Sequence, residues 1–126
     1  MAVVLALVDD LMFRSRIQEA ARQHGLEVLA LRDAPAVLEA CRAGARLVLL
    51  DLDSARLPWR EVLEAVRDDA DLGSVQRVGF FSHVHAERGR AARDAGCTTV
   101  LPRSAFVDEL PALLERMAGA SDETRR

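Results

Sequence analysis

A small set of side chains in this 126-residue chain falls where it could do chemistry together. Asp9 and Asp10 close the apolar run Val3–Val8, and Asp51 follows the run Leu47–Leu50 with Asp53 two residues on. Ser82 and His83 follow Val78–Phe81, and Arg103 and Ser104 come just after Thr98–Leu101. Three carboxylates brought close repel one another, and at least one keeps its proton unless a cation is present. A hard divalent ion resolves the conflict. Mg²⁺ takes oxygen ligands, keeps several waters and needs only one or two carboxylates plus a phosphate oxygen. A carboxylate beside such an ion can act as a nucleophile toward a phosphoryl donor, forming an aspartyl phosphate. Ser82 could share a hydrogen bond with that group, and Arg103 could grip it through the guanidinium fork.

Composition narrows the chemistry further. The sequence contains no lysine, asparagine or tyrosine, and its basic residues are 17 arginines. A Walker A phosphate loop and a Schiff-base lysine are excluded, so positive charge at an anion site must come from Arg, His, a backbone N–H or a metal. A net charge of −3 argues against a nucleic-acid partner. The run Ala2–Val8 is too short to span a bilayer and lacks signal-peptide form, so a cytoplasmic protein without a membrane partner is expected. Cys41 and Cys97 match no zinc or redox spacing and read as small core residues of a reducing compartment.

The elements that must position these groups alternate in kind. Short apolar runs at Val3–Val8, Glu27–Leu31, Leu47–Leu50, Val78–Phe81 and Thr98–Leu101 predict strands buried on both faces. Between them lie helical spacings. The first carries Phe13, Ile17, Ala20, Ala21 and His24 and ends at Gly25; the second carries Ala36, Leu38 and Cys41 and ends at Gly44. Val62, Leu63 and Val66 mark a third helix, Ala86 to Ala95 a fourth, and Phe106, Leu110, Leu113, Leu114 and Met117 a fifth. Residues 1–118 read as one domain and 119–126 as a frayed tail. Strict alternation implies an α/β fold, a parallel five-stranded sheet with helices on both faces and ligands outside the carboxyl ends of the strands.

Four segments, Leu7-Val8-Asp9-Asp10, Leu47-Val48-Leu49-Leu50-Asp51, Phe80-Phe81-Ser82 and Gly96-Cys97 through Arg103, resemble the receiver domains of response regulators. The resemblance spans Val3 to Met117 and implies the flavodoxin-like strand order 2-1-3-4-5, which general accounts of this fold illustrate with a chemotaxis receiver. It implies that Asp9 and Asp10 bind Mg²⁺ together with Asp51, that Asp51 accepts phosphate from a sensor histidine kinase or phosphotransfer protein, and that Asp53 lends the metal a backbone carbonyl. Ser82 matches the hydroxyl that turns toward the phosphoryl group. A stand-alone receiver would then signal by contact with an unknown output protein. The fourth helix, fifth strand and fifth helix form the surface such domains often use to dimerise.

The departures concern the switch. The family's lysine falls at Arg103, Ser104 replaces the proline that should follow it, and Pro102 precedes it instead, so the usual cis peptide is not expected. Val100 stands for the family's aromatic residue. These changes support an alternative, a pseudo-receiver that binds partners without phosphate switching. An enzyme, such as a small Mg²⁺-dependent hydrolase, ranks third, because the length leaves no cap domain for a substrate pocket. Simpler roles are open too. Asp10 suits a helix cap, His83 and His85 an exposed loop, His24 a helix end, and Arg88, Arg90 and Arg93 a solvated face.

Overall fold

A computed structural model describes residues 3–82 and 86–125, with side chains as far as 119. The paired histidines at 83 and 85 lie outside the described residues. The strands are β1 (Val3–Leu7), β2 (Glu27–Ala30), β3 (Leu47–Asp51), β4 (Gln76–Phe81) and β5 (Thr99–Pro102). The helices are α1 (Leu11–Gln23), α2 (Ala34–Arg42), α3 (Trp59–Asp68), α4 (Ala86–Ala95) and α5 (Arg103–Arg125), with a 3₁₀ turn at Ala70–Leu72. All neighbouring strands pair in parallel in the order β2-β1-β3-β4-β5. This is the parallel α/β sheet expected from the alternation, in the flavodoxin-like order that the resemblance implied.

Side-chain alternation along the strands divides the core in two. Leu5, Leu7, Val48 and Leu50 face one layer with Val37 of α2, Val62, Leu63 and Val66 of α3 and Ala92 of α4. Val4, Ala6, Leu47, Leu49, Val78 and Phe80 face the other, with Phe13 and Ile17 of α1 and Phe106, Leu110 and Leu114 of α5. Helix ends follow local chemistry. Asp10 Oδ1 accepts the Phe13 N–H at 3.0 Å and Asp33 Oδ1 the Ala36 N–H at 2.8 Å, each satisfying an orphan donor of a first turn. Gly25 and Gly44 take positive φ after α1 and α2, as left-handed helix stops require.

Two expectations need correction. The Glu27–Leu31 run is not buried on both faces: β2 is an edge strand, Val28 and the following Leu31 are only partly buried against the core, and Leu29 is exposed. The buried stripe of α2 is Ala34, Val37 and Cys41 rather than Ala36, Leu38 and Cys41. Helix α5 is helical from Arg103 to Arg125. Both cysteines are buried and free, and burial pushes each thiol pKa up. Among the described residues there is no cis peptide bond.

Candidate functional site

Register carries the chemistry to one edge of the sheet. Leu7 lies beside Leu50, Asp51 beside Phe80 and Phe81 beside Pro102. The residues that follow, Asp9-Asp10, Asp53, Ser82 and Arg103, therefore emerge together with Asp51 at the carboxyl ends of β1, β3, β4 and β5. Asp51 is the last residue of β3 and only 5% exposed. Its Oδ1 accepts the Asp53 N–H at 3.0 Å. Burial raises its pKa; the Asp53 N–H and the Arg103 charge oppose that, while Asp53 and Asp9 add to it. A buried carboxylate held against its own ionisation is what a cation or a phosphoryl donor would relieve.

Arg103 points into the site. Its Nη2 lies 3.5 Å from Asp51 Oδ2 and its Nη1 3.8 Å from Asp10 Oδ2, ionic contacts rather than hydrogen bonds. Its carbon Cζ sits 4.4 Å over the Phe13 ring and 5.5 Å from the Phe80 ring. Phe80 stacks on Phe106 at 4.4 Å, and Phe13 leans on both rings. A cation in the first turn of α5 opposes the helix dipole, so two carboxylates and an aromatic floor are needed to hold it there.

The three carboxylates do not close into a metal cage. Among the described residues, no group of three His, Cys, Asp or Glu side chains is placed to hold an ion. The reason lies in the partners each acid has found. Asp9 Oδ2 accepts the Ser54 hydroxyl at 2.6 Å, Asp10 caps α1, and Arg103 supplies the charge between Asp10 and Asp51. Asp53 turns its carboxylate the other way, accepting the Ser82 N–H at 2.8 Å on one oxygen and Arg88 at 3.2 Å on the other. Only its backbone carbonyl would serve a metal. The oxygens present still suit Mg²⁺, which completes its shell with water and phosphoryl oxygens, and the buried, pKa-raised Asp51 is a fitting first ligand.

Ser54 and Arg88 escape a reading by type and spacing. Ser54 holds the loop after β3 as well as Asp9, because its Oγ accepts the N–H groups of Arg56 and Leu57. Arg88 belongs to a stretch read as solvated; Arg90 and Arg93 are exposed as expected, but Arg88 turns inward to Asp53. The carboxylate two residues beyond Asp51 was the available signal for such a pair. Beside the site, Leu11 and Met12 are exposed large apolar side chains, 66% and 81%.

Solved structures share this architecture. The response regulator from Hahella chejuensis is 20% identical, with 94% of this chain and 93% of that one covered and a TM-score of 0.70. The receiver domain of sensor histidine kinase PA1611 from Pseudomonas aeruginosa, solved with magnesium in its active-site cleft, gives 20% identity, coverage of 93% and 97% and a TM-score of 0.73. The chemotaxis response regulator CheY4 of Vibrio cholerae gives 22% identity, coverage of 93% and 98% and a TM-score of 0.72. The chain thus has the fold of response-regulator receiver domains over nearly its whole length. No protein-family model and no curated protein matches its sequence. No described helix is long and apolar enough to cross a membrane.

Proposed function

We propose that this chain is a receiver module that accepts a phosphoryl group on Asp51 and signals by protein contact. The observation that carries the reading is the buried Asp51 carboxylate at the end of β3, with Arg103 against its Oδ2 and the acidic residues of β1 beside it. In the reaction, Asp51 Oδ2 attacks phosphorus, the bond from phosphorus to the donor nitrogen or oxygen breaks, and its electron pair leaves with the donor. Asp9, Asp10, Asp51 and the Asp53 carbonyl would hold Mg²⁺, which neutralises charge on the phosphoryl oxygens. Arg103 adds a fixed cation on the same side, and the Ser82 hydroxyl can donate to a phosphoryl oxygen. The magnesium in the PA1611 receiver supports the choice of ion.

A sensor histidine kinase or phosphotransfer protein is the donor this site suits. The exposed Leu11 and Met12, next to Asp10, offer it an apolar contact. A homodimer through α4, β5 and α5 is proposed as one mode of output; a cleft of about 300 Å³ between Thr99, Leu101, Asp108 and Arg116 marks that side of the molecule. The second reading, a phosphate-independent binding module, is favoured by Arg103, which already compensates Asp51 and Asp10 without any ion. Incubation with Mg²⁺ and a small phosphodonor, followed by intact mass, separates the two. A single phosphoryl adduct on the wild type and none on Asp51→Asn is expected; no adduct on either refutes the acceptor reading.

A further inference from the structure

One hydroxyl joins the end of β1 to the loop that follows β3. Ser54 Oγ accepts the N–H of Arg56 at 3.3 Å and that of Leu57 at 3.2 Å. Those two bonds use both of its lone pairs, so its single O–H proton is left for Asp9 Oδ2, 2.6 Å away. A carboxylate can only accept, and an O–H bond of this length to one is of the charge-assisted kind. Ser54 is anchored in turn. Its N–H donates to the Asp51 carbonyl at 3.3 Å, and the Asp53 N–H donates to Asp51 Oδ1 at 3.0 Å, so residue 53 is fixed from both sides. Asp9 is also the acid of the three that Arg103 does not contact; among the described residues its Oδ1 has no hydrogen-bond or ion-pair partner.

We propose that Ser54 is a positioning residue for the divalent ion, pinning one oxygen of Asp9 and the turn that carries the Asp53 carbonyl, so that both ligands are set before the ion arrives. This deepens the reading of Asp51 as a phosphoryl acceptor assisted by Mg²⁺ and rests on it. Mg²⁺ demands near-ideal octahedral geometry, so ligands that must first be gathered from several rotamers lose affinity for it. A carboxylate at a strand end turns about two side-chain bonds, and Ser54 has already ordered that of Asp9 on folding. Arg103 stands on Asp10 and Asp51, which leaves Asp9 as the ligand with no cation to displace. An apolar residue at position 54 would free Asp9 and leave the Arg56 and Leu57 N–H groups without this acceptor. Ser54 touches neither ion nor phosphoryl group in this scheme; it acts through Asp9 and the loop.

Mg²⁺ titrations of the full chain, followed by ¹H–¹⁵N NMR, test this for wild type, Ser54→Ala, Ser54→Thr and Cys41→Ala. The last truncates a buried side chain in the final turn of α2, at the amino ends of the strands, and serves as a control destabilised away from the site. Kd for Mg²⁺ rises about 3- to 10-fold in Ser54→Ala, stays within about 2-fold of wild type in Ser54→Thr, and does not move in Cys41→Ala. The hydrogen bond itself is measured apart from the ion, by urea unfolding in EDTA of Ser54→Ala, Asp9→Ala and the double variant. The unfolding constant of the double variant departs from the product of the single effects by about 3- to 10-fold. A Kd in Ser54→Ala equal to or below that of wild type, an equal rise in Cys41→Ala, a Ser54→Thr variant as weak as Ser54→Ala, or strictly multiplicative effects in EDTA overturns the positioning role and leaves the acceptor reading intact. A wild type that binds no Mg²⁺ overturns the metal part of that reading and the positioning role together, even where the coupling in EDTA is present.

Discussion

Replacing Arg103 with alanine should destabilise the fold by about 2 kcal/mol, and the figure can be built from its contacts. At 3.5 Å from Asp51, a unit charge pair has a gross attraction of roughly 5 kcal/mol at an effective dielectric constant near 20. Arg103 is 35% exposed and Asp10 49%, so screening leaves the Asp10 contact about 0.5 kcal/mol and the Asp51 contact about 1–2. Position over Phe13 and Phe80 adds about 0.5–1 kcal/mol. Against this, removing a cation from the first turn of α5 regains about 0.3–1 kcal/mol of dipole repulsion. Arg103→Lys keeps the charge but not the fork, and should lose about 1 kcal/mol. With Asp51→Asn in the background, Arg103→Ala should cost only about 1 kcal/mol, because the buried charge that needed it is gone. Urea unfolding of wild type, Arg103→Ala, Arg103→Lys, Asp51→Asn and the Arg103→Ala/Asp51→Asn double variant measures this, provided the slope m stays constant. An Arg103→Ala variant within about 0.5 kcal/mol of wild type, or strictly additive effects across the cycle, would refute the reasoning.

Other outcomes follow from neighbouring contacts. Because burial raises the folded-state pKa of Asp51, the folded chain binds that proton more readily than the unfolded one. The stabilisation exists below the ordinary carboxylate range and is lost as pH rises through the raised value, so in EDTA Asp51→Asn is the more stable protein at neutral pH and the gap closes in acid; a constant gap from neutral pH to acid contradicts this. Ser54→Ala deprives Asp9 and two loop N–H groups of their partner and should cost about 1–2 kcal/mol in thermal or chemical unfolding. Gly96→Ala should cost more than about 1 kcal/mol by the same assays, since φ is +116° and the new Cβ would stand 2.8 Å from Arg67 Cβ. Met12→Glu should slow phosphorylation by a protein donor several-fold and leave a small donor's rate unchanged; equal rates with both donors remove Met12 from the docking surface.

What the sequence discloses is mainly what depends on strand ends. Asp9, Asp10, Asp51, Ser82 and Arg103 each follow a short apolar run, and a parallel sheet gathers such positions whatever the fine geometry. The parallel sheet followed from alternation, and its strand order from the resemblance. The rest depends on side-chain direction, which spacing does not encode. Arg88 looks like Arg90 and Arg93 in a list of charges, yet it alone of the three bonds to Asp53, because only the first turn of α4 passes the loop after β3. Phe13, Phe80 and Phe106 come from three separate elements, so their shared floor under Arg103 has no local signature. Glu27–Leu31 is apolar enough for a central strand but is placed at an edge, a matter of topology rather than composition. The partners that the acids hold, Ser54 on Asp9, the α1 cap on Asp10 and Arg103 between Asp10 and Asp51, were not legible in their spacing.

The absence of lysine sharpens in this setting. One arginine takes the place where a receiver would keep a lysine, and the structure finds it in ionic contact with Asp51 and Asp10. That contact is compatible both with a phosphoryl-reading cation and with a site that needs no phosphate, so the chemistry at Asp51 decides. After incubation with Mg²⁺ and a small phosphodonor, borohydride reduction converts an aspartyl phosphate to homoserine, which peptide sequencing by mass spectrometry can locate. Homoserine at position 51, absent from positions 9, 10 and 53 and absent without donor, is the expected result. Aspartate unchanged at 51, or homoserine at another of these positions, would contradict the proposal that Asp51 is the acceptor.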